Sequence, residues 1–206
     1  AAYIPLGHTT GGGDLFGATA LAPGQLTQSE TLNALRPVLE DPSILKIGQN
    51  MKYDWKIFAR LGVRITPFDD TMLMSYAMHA GLHNHGMDEL SERYLGHTPI
   101  PIKSLLGSGK SQITFDKVAI DDAVKYAAED ADVTLRLWQA FKPQRHRAKV
   151  TTVYETLERP LVPVLADMEM KGIEVDRDTL NRMSNAFAQK LVQLEEEIQD
   201  VAGEKF

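Results

Sequence analysis

Two short runs of this sequence hold residue types that do chemistry at useful spacings. In Tyr126-Ala127-Ala128-Glu129-Asp130-Ala131-Asp132 a phenol and a carboxylate stand four positions apart, so on a helix both project from one face. Alanines surround them and leave room for a ligand or a neighbouring strand. An Asp in such a place could hold a cation while the phenol orients a water. Taken alone, the pair equally describes a surface pair or a local hydrogen bond, and that account is the more ordinary one. By the same helical geometry Glu129 and Asp132 point elsewhere. The second run, Gly48-Gln49-Asn50-Met51-Lys52-Tyr53-Asp54, puts a carboxylate in the first turn of a helix that follows a strand and a turn. Ligand groups in open α/β sheets gather where strands end and helices begin. Asp54 also has a structural account, because an acidic side chain there complements the helix dipole.

Other polar residues have plainer roles. Asp70-Thr71 reads as a helix cap. His79, His83 and His85 match no zinc spacing and read as solvated histidines. Met72, Met74 and Met78 read as core. Lys103 and Lys110 suit a solvated loop as well as a phosphate contact. Gly11-Gly12-Gly13 lacks both phosphate-binding glycine patterns and precedes no helix.

The elements that must position these residues follow from the apolar spacing. A strand over Tyr3–Gly7 is expected to run into a flexible Thr9–Asp14 loop. Thr27 or Ser29 caps a helix through about Leu39, with Leu32, Leu35, Val38 and Leu39 as its stripe. Ile44–Ile47 reads as a buried strand and Met51–Leu61 as a helix. Val63–Phe68 reads as another strand, and Thr71–Tyr94 as helix interrupted near Gly81–Gly86. A long helix runs from about Ile120 to Phe141, with a break at Pro143 and Gln144-Arg145-His146-Arg147. The last block, from about Val150, is helical, with a helix ending near Lys171-Gly172 and another over about Asp178–Val201.

Composition sets wide bounds. With 206 residues, 43% of them hydrophobic, the chain can bury a real core. No apolar run is long enough to cross a bilayer and no N-terminal signal peptide is present, so a membrane is not expected. The absence of cysteine excludes disulfides and thiolate metal sites and fits a cytoplasmic protein. A net charge of −6 argues against a broad duplex-coating surface. It leaves room for an enzyme that takes a strand end with carboxylate-held metal ions.

Together the two runs resemble the second and third exonuclease motifs of bacterial family A DNA polymerases. The likeness extends through Phe68-Asp69-Asp70-Thr71-Met72-Leu73, Met87–Leu95 and Gly107–Phe115. It continues into Glu158–Leu165 and Gly172–Asp176, which are similar to the base of the polymerase thumb. The resemblance implies an α/β, ribonuclease H-like (DEDD exonuclease) mixed sheet with helices over residues 1–149, incomplete at its N-terminus. Residues 150–206 would be the helical start of the polymerase domain. It implies two-metal hydrolysis, with ions about 3.5–4 Å apart stabilising the attacking and leaving oxygens. On that likeness Asp130 ligates the ion that activates water, Tyr126 hydrogen-bonds the water, and Asp54 supports the second ion. Oxygen ligands suit Mg²⁺ or Mn²⁺. Gln49 and Asn50 would touch the terminal nucleotide, and Ile102 would lie against a displaced base. The implied partners are a single-stranded 3′ end of DNA and the remainder of the polymerase chain.

One departure matters. The family's first motif, Asp-x-Glu on the central strand, does not occur on a strand before Asp54. The expectation is therefore a piece of a polymerase that replicates, repairs and proofreads DNA. By itself that piece would not polymerise and would be inactive as a nuclease. Its sheet should show a gap, a rearranged pairing or a partner chain filling the space. Two alternatives remain. One is a stand-alone 3′→5′ exoribonuclease of the same superfamily, disfavoured by the helical block after Val150. The other is a non-catalytic DNA-binding or structural module, which would give Asp54, Tyr126 and Asp130 no reason to occur together.

Overall fold

The computed structural model describes residues 1–13 and 19–205. Asp14, the end of the expected flexible stretch, lies outside the described residues, as does Phe206. Strand β1 (Thr9–Gly13) pairs antiparallel with β2 (Thr19–Leu21), Thr9 opposite Leu21 and Gly13 opposite Thr19. The strand expected at Tyr3–Gly7 does not form. Pro5 has no N–H to give a ladder, and Gly7 turns the chain at φ +72°. Pairing begins two residues later and takes in the glycine run. Side chains anchor the residues before it: buried His8 bonds through Nδ1 to the Val118 carbonyl at 3.1 Å, and its backbone exchanges two 2.8 Å bonds with the Gln25 amide.

Helix α1 (Gln28–Leu39) starts at a capping box in which Thr27 and Glu30 satisfy each other's backbone N–H groups. Strand β3 (Lys46–Gly48), helix α2 (Met51–Arg60) and strand β4 (Phe68–Asp70) form a βαβ unit, with Lys46, Ile47 and Gly48 opposite Phe68, Asp69 and Asp70. Both strands lie slightly later in the chain than their apolar runs. Among the described residues the strands form two separate pairs, β1–β2 and β3–β4, with no ladder between them. Helices α3 (Thr71–His79) and α4 (Met87–Leu95) flank the expected Gly81–Gly86 interruption. After α5 (Ile102–Leu106) the long helix α6 spans Ile120–Arg147.

Helix α6 runs through Pro143, where a break was expected. One proline removes one backbone bond, and the basic side chains of Arg145, His146 and Arg147 complement the negative end of the helix. The stop comes at Ala148 and Lys149, the latter left-handed at φ 60°. Helix α7 (Thr151–Val153), a π-helical turn (Tyr154–Glu158) and α8 (Arg159–Lys171) follow. Pro160 lacks the N–H that an α-helical turn would use at that point. The π turn instead sends the Arg159 N–H to the Tyr154 carbonyl.

By its contacts the chain divides into two compact units, Ala1–Met170 and Lys171–Phe206. The second holds α9 (Arg177–Ala202), capped by the Asp176 carboxylate on Thr179 N at 2.9 Å. No described helix is long and apolar enough to cross a membrane. In the first unit, Met74, Leu90, Val133, Leu137, Phe141 and Tyr154 form one buried cluster. Met51, Ile65, Phe68 and Val162 form another. Helices α3, α4 and α6 thus close around the main core, and the βαβ unit sits on the second.

Leu137 is fully buried while Leu135, two positions earlier on α6, is 45% exposed. Leu137→Ala should cost about 2–5 kcal/mol, and Leu135→Ala under about 1 kcal/mol. Urea denaturation followed by circular dichroism measures both. Equal losses would place the core on the wrong face of α6.

Candidate active site

Strand β3 ends at Gly48 and hands the chain to α2 through Gln49 and Asn50. Asn50 occupies the N-cap in the left-handed region, φ 58°, ψ 49°, and its side chain makes no cap bond. The acceptor comes from the neighbouring strand. Asp70 Oδ1 accepts from Asn50 N at 3.0 Å and Oδ2 from Met51 N at 2.8 Å. The same carboxylate caps α3, accepting from Met72 N at 2.9 Å and Leu73 N at 3.4 Å. The helix cap read at Asp70 therefore serves two helices. Asp54 sits in the first turn of the α2 it helps to start, half-buried, and burial pushes its carboxyl above the ordinary value.

Across from it, α6 presents Asp130. Both carboxylates line one open cleft of about 580 Å³, together with Gly48, Gln49, Ala131 and Thr134. The sequence thus brings Asp54 and Asp130 to a common space from opposite ends of the unit. Tyr126 stands one turn before Asp130 on α6, its phenol beside that carboxylate, though it does not line the cleft itself. Burial, then the Asp130 charge, pushes the phenol up to about 12, so it stays a hydrogen-bond donor at neutral pH. Burial chiefly, with the charges of Glu129 and Asp88, pushes the Asp130 carboxyl up to about 6 despite the neighbouring Tyr126 phenol. Its Oδ1 is buried without a hydrogen-bond partner, an acceptor aimed at something.

The other candidates are placed unevenly. Gln49 lines the cleft, but its amide is engaged: Nε2 donates to the His85 carbonyl at 2.8 Å, and Oε1 accepts from Thr71 Oγ1 at 2.5 Å. Asn50 lines a different hollow with Lys52, Asp70 and Leu161. Ile102 opens α5, is 38% exposed, and does not line the Asp54–Asp130 cleft. Lys103 and Lys110 are exposed. Glu129 points away from the cleft, as helical geometry requires, and binds His97 Nε2 at 2.8 Å and Ile100 N at 2.6 Å. Asp132 meets Arg136 at 3.5 Å on the surface.

Sequence reading missed several supporting residues. Thr134 and Ala131 follow Asp130 at helical spacing and could have been found from it. Asp69, Tyr154 and Arg159 could not, since no local signal links them. The histidines also differ from the solvated reading. His83 and His85 have ring centroids 4.9 Å apart, and His79 stacks on Tyr94 at 6.0 Å. Burial, then His83, lowers both His79 and His85.

Comparison with known proteins places the chain in a family. A family model described as 3′-5′ exonuclease, of family A DNA polymerases, matches residues 16–145. DNA polymerase I of Rhizobium leguminosarum is 55% identical over all of this chain and 20% of its own length. DNA polymerase I of Pseudomonas aeruginosa is 42% identical over the whole chain and 22% of its own. The chain thus spans about a fifth of these curated relatives. Among solved structures, the POL domain of Pol1 from M. smegmatis, in complex with DNA primer-template and dNTP, superposes with TM-score 0.68. That match has 24% identity and covers 93% of this chain and 30% of that one. Brucella melitensis NrnC superposes with TM-score 0.57 at 21% identity, over 80% of this chain and 76% of that one, and has also been solved with bound Mg²⁺. At these identities the two structures speak for the fold. From the match of the family model over most of its length, the chain belongs to the 3′-5′ exonuclease family of the family A DNA polymerases.

Proposed function

We propose that this cleft hydrolyses the terminal phosphodiester of a single-stranded DNA 3′ end, as the proofreading site of a DNA polymerase I that serves replication and repair. The observation that carries the reading is the meeting of Asp54 and Asp130 in one cleft, with the Tyr126 phenol beside Asp130. The identity to polymerases continues past Val150 to the end of the chain. That supports residues 1–149 as exonuclease and 150–206 as the start of a polymerase domain, over a self-standing exoribonuclease or a non-catalytic module. The bacterial cytoplasm is the proposed location.

Asp54 and Asp130 offer hard oxygen donors, and the unpartnered Oδ1 of Asp130 fits an oxygen-ligated divalent cation, Mg²⁺ or Mn²⁺. When bound, such a cation supplies charge stabilisation at the phosphoryl oxygens. Among the described residues no group of three or more acidic or histidine side chains surrounds one point. The residues present therefore fit one such ion, not the carboxylate set of a two-ion site. Tyr126 orients the Asp130 carboxylate and, with it, a water. Gln49, held by His85 and Thr71, shapes the wall against which a terminal nucleotide rests. Asn50 and Ile102 extend contact to the strand beyond the cleft, Ile102 by apolar contact with a base.

Proton and cation compete for Asp130. Its carboxyl titrates above its ordinary 3.8, near 6, so the folded chain holds the proton more tightly than the unfolded one. Stability without cation should then fall as pH rises across that window. Mn²⁺ affinity of the 206-residue chain should rise with pH up to about 7 and level off. Titration by electron paramagnetic resonance reads this. An affinity flat between pH 5 and 7, or unchanged in Asp130→Asn, would remove Asp130 from the cation site.

With two carboxylates in place of a full set, the 206-residue chain should degrade a single-stranded DNA 3′ end no faster than its Asp130→Ala variant. Losing one stabilising group alone costs about 10²–10³ in rate. In a polymerase carrying this domain, Asp54→Ala and Asp130→Ala should each abolish 3′→5′ degradation and spare synthesis. Gel assays with Mn²⁺ decide both, and brisk cleavage by the short chain would show that two carboxylates suffice.

A further inference from the structure

The carboxylate of Asp54 depends on groups outside the cleft. Asp70 fixes the start of α2 by accepting the N–H groups of Asn50 and Met51. Asp70 is itself held from behind. Its backbone N–H donates to the Tyr154 hydroxyl at 2.9 Å, and that hydroxyl donates to Asp69 Oδ1 at 3.0 Å. Asp69 is buried and also accepts from Trp138 Nε1 at 2.7 Å and Arg159 Nη1 at 3.0 Å. Arg159 and Arg145 both reach Glu155, and the Arg145 guanidinium lies 4.3 Å over the Tyr154 ring. Tyr154 is fully buried. The wider repeat of the π turn lets Tyr154 and Arg159, five positions apart, both reach Asp69.

We propose that Tyr154 is a positioning residue for Asp54. It acts through the backbone of Asp70, so that the segment from Thr151 to Arg159 sets the geometry of the exonuclease cleft. The proposal rests on the reading of Asp54 as a cation-site carboxylate. A carboxylate moved by a fraction of an ångström loses its shared ligand geometry with Asp130. The loss is graded because Tyr154 stands two bonded steps away. Tyr154→Phe keeps the ring and its packing and removes only the hydroxyl, leaving Asp70 N–H without its acceptor.

The test uses the 206-residue chain, with hydrogen exchange at single amides and Mn²⁺ titration. In Tyr154→Phe the amides of Asn50, Met51 and Asp70 should exchange about tenfold faster than amides of α4. Mn²⁺ affinity should fall about three- to tenfold, less than the ~10–100-fold typical of a direct outer-shell partner. Leu90→Ala, a core change on α4, provides a destabilised comparison. If the Asn50 and Met51 amides respond no more selectively in Tyr154→Phe than in Leu90→Ala, Tyr154 is a core residue only and the proposal fails. If Asp54→Ala leaves Mn²⁺ affinity unchanged, the cation reading of Asp54 fails instead, and the proposal fails with it. Selective exchange with weakened Mn²⁺ binding, beside an Asp54→Ala loss, supports both.

Discussion

The structure depends on one buried carboxylate that starts two helices. Asp70 accepts backbone N–H groups from α2 and from α3, so two positive helix ends converge on a single negative group. Helix ends leave unsatisfied donors, and burying them without acceptors is costly. One acidic side chain resolves both ends at once and ties the two helix starts together. Because β4 carries Asp70 and pairs with β3, the strand, the turn and the helix bearing Asp54 are set by the same atom group.

Around this point the core is organised by partner rather than by layer. Helices α3, α4 and α6 bury Met74, Leu90, Val133 and Leu137 together. The βαβ unit rests on Met51, Ile65 and Phe68, with Val162 of α8 closing that cluster. Residues 150–170 are therefore structural to the first unit, although the likeness to polymerases reads them as the opening of the next domain. The buried Asp69, with Trp138, Tyr154 and Arg159 about it, satisfies charge and polarity where the two helical segments meet the strand. A buried carboxylate with three donors is tolerable where a lone one would not be.

Much of this was legible in the sequence. Capping at Thr27 and Asp70, the interruption after His79 and the core place of Met74 and Met78 follow from local chemistry, whereas Met72 lies in neither buried cluster. The joint motif around Asp54 and Asp130 gave the family and the cleft. What was not legible depends on distant partners. Tyr3–Gly7 has apolar residues suited to a strand, but Pro5 and the turn at Gly7 leave it unpaired, and pairing passes to the glycine run. Pro143 looked like a stop because local rules count its lost bond and omit the favourable basic end of α6. The histidines looked solvated because ring packing on Tyr94 depends on how α3 meets α4. Neither Asn50 nor Ile102 lines the cleft itself: Asn50, in a left-handed turn, borders a neighbouring hollow, and Ile102 opens α5.

Glu129 joins the segment before α5 to α6 with both of its oxygens, one to His97 and one to Ile100. It immediately precedes Asp130 on the helix. The segment from His97 to Ile100, just before α5, and the carboxylate at the cleft are thus fastened to the same helix. If α6 shifts, Ile100 and Asp130 travel together, and their spacing is kept while both move relative to α2.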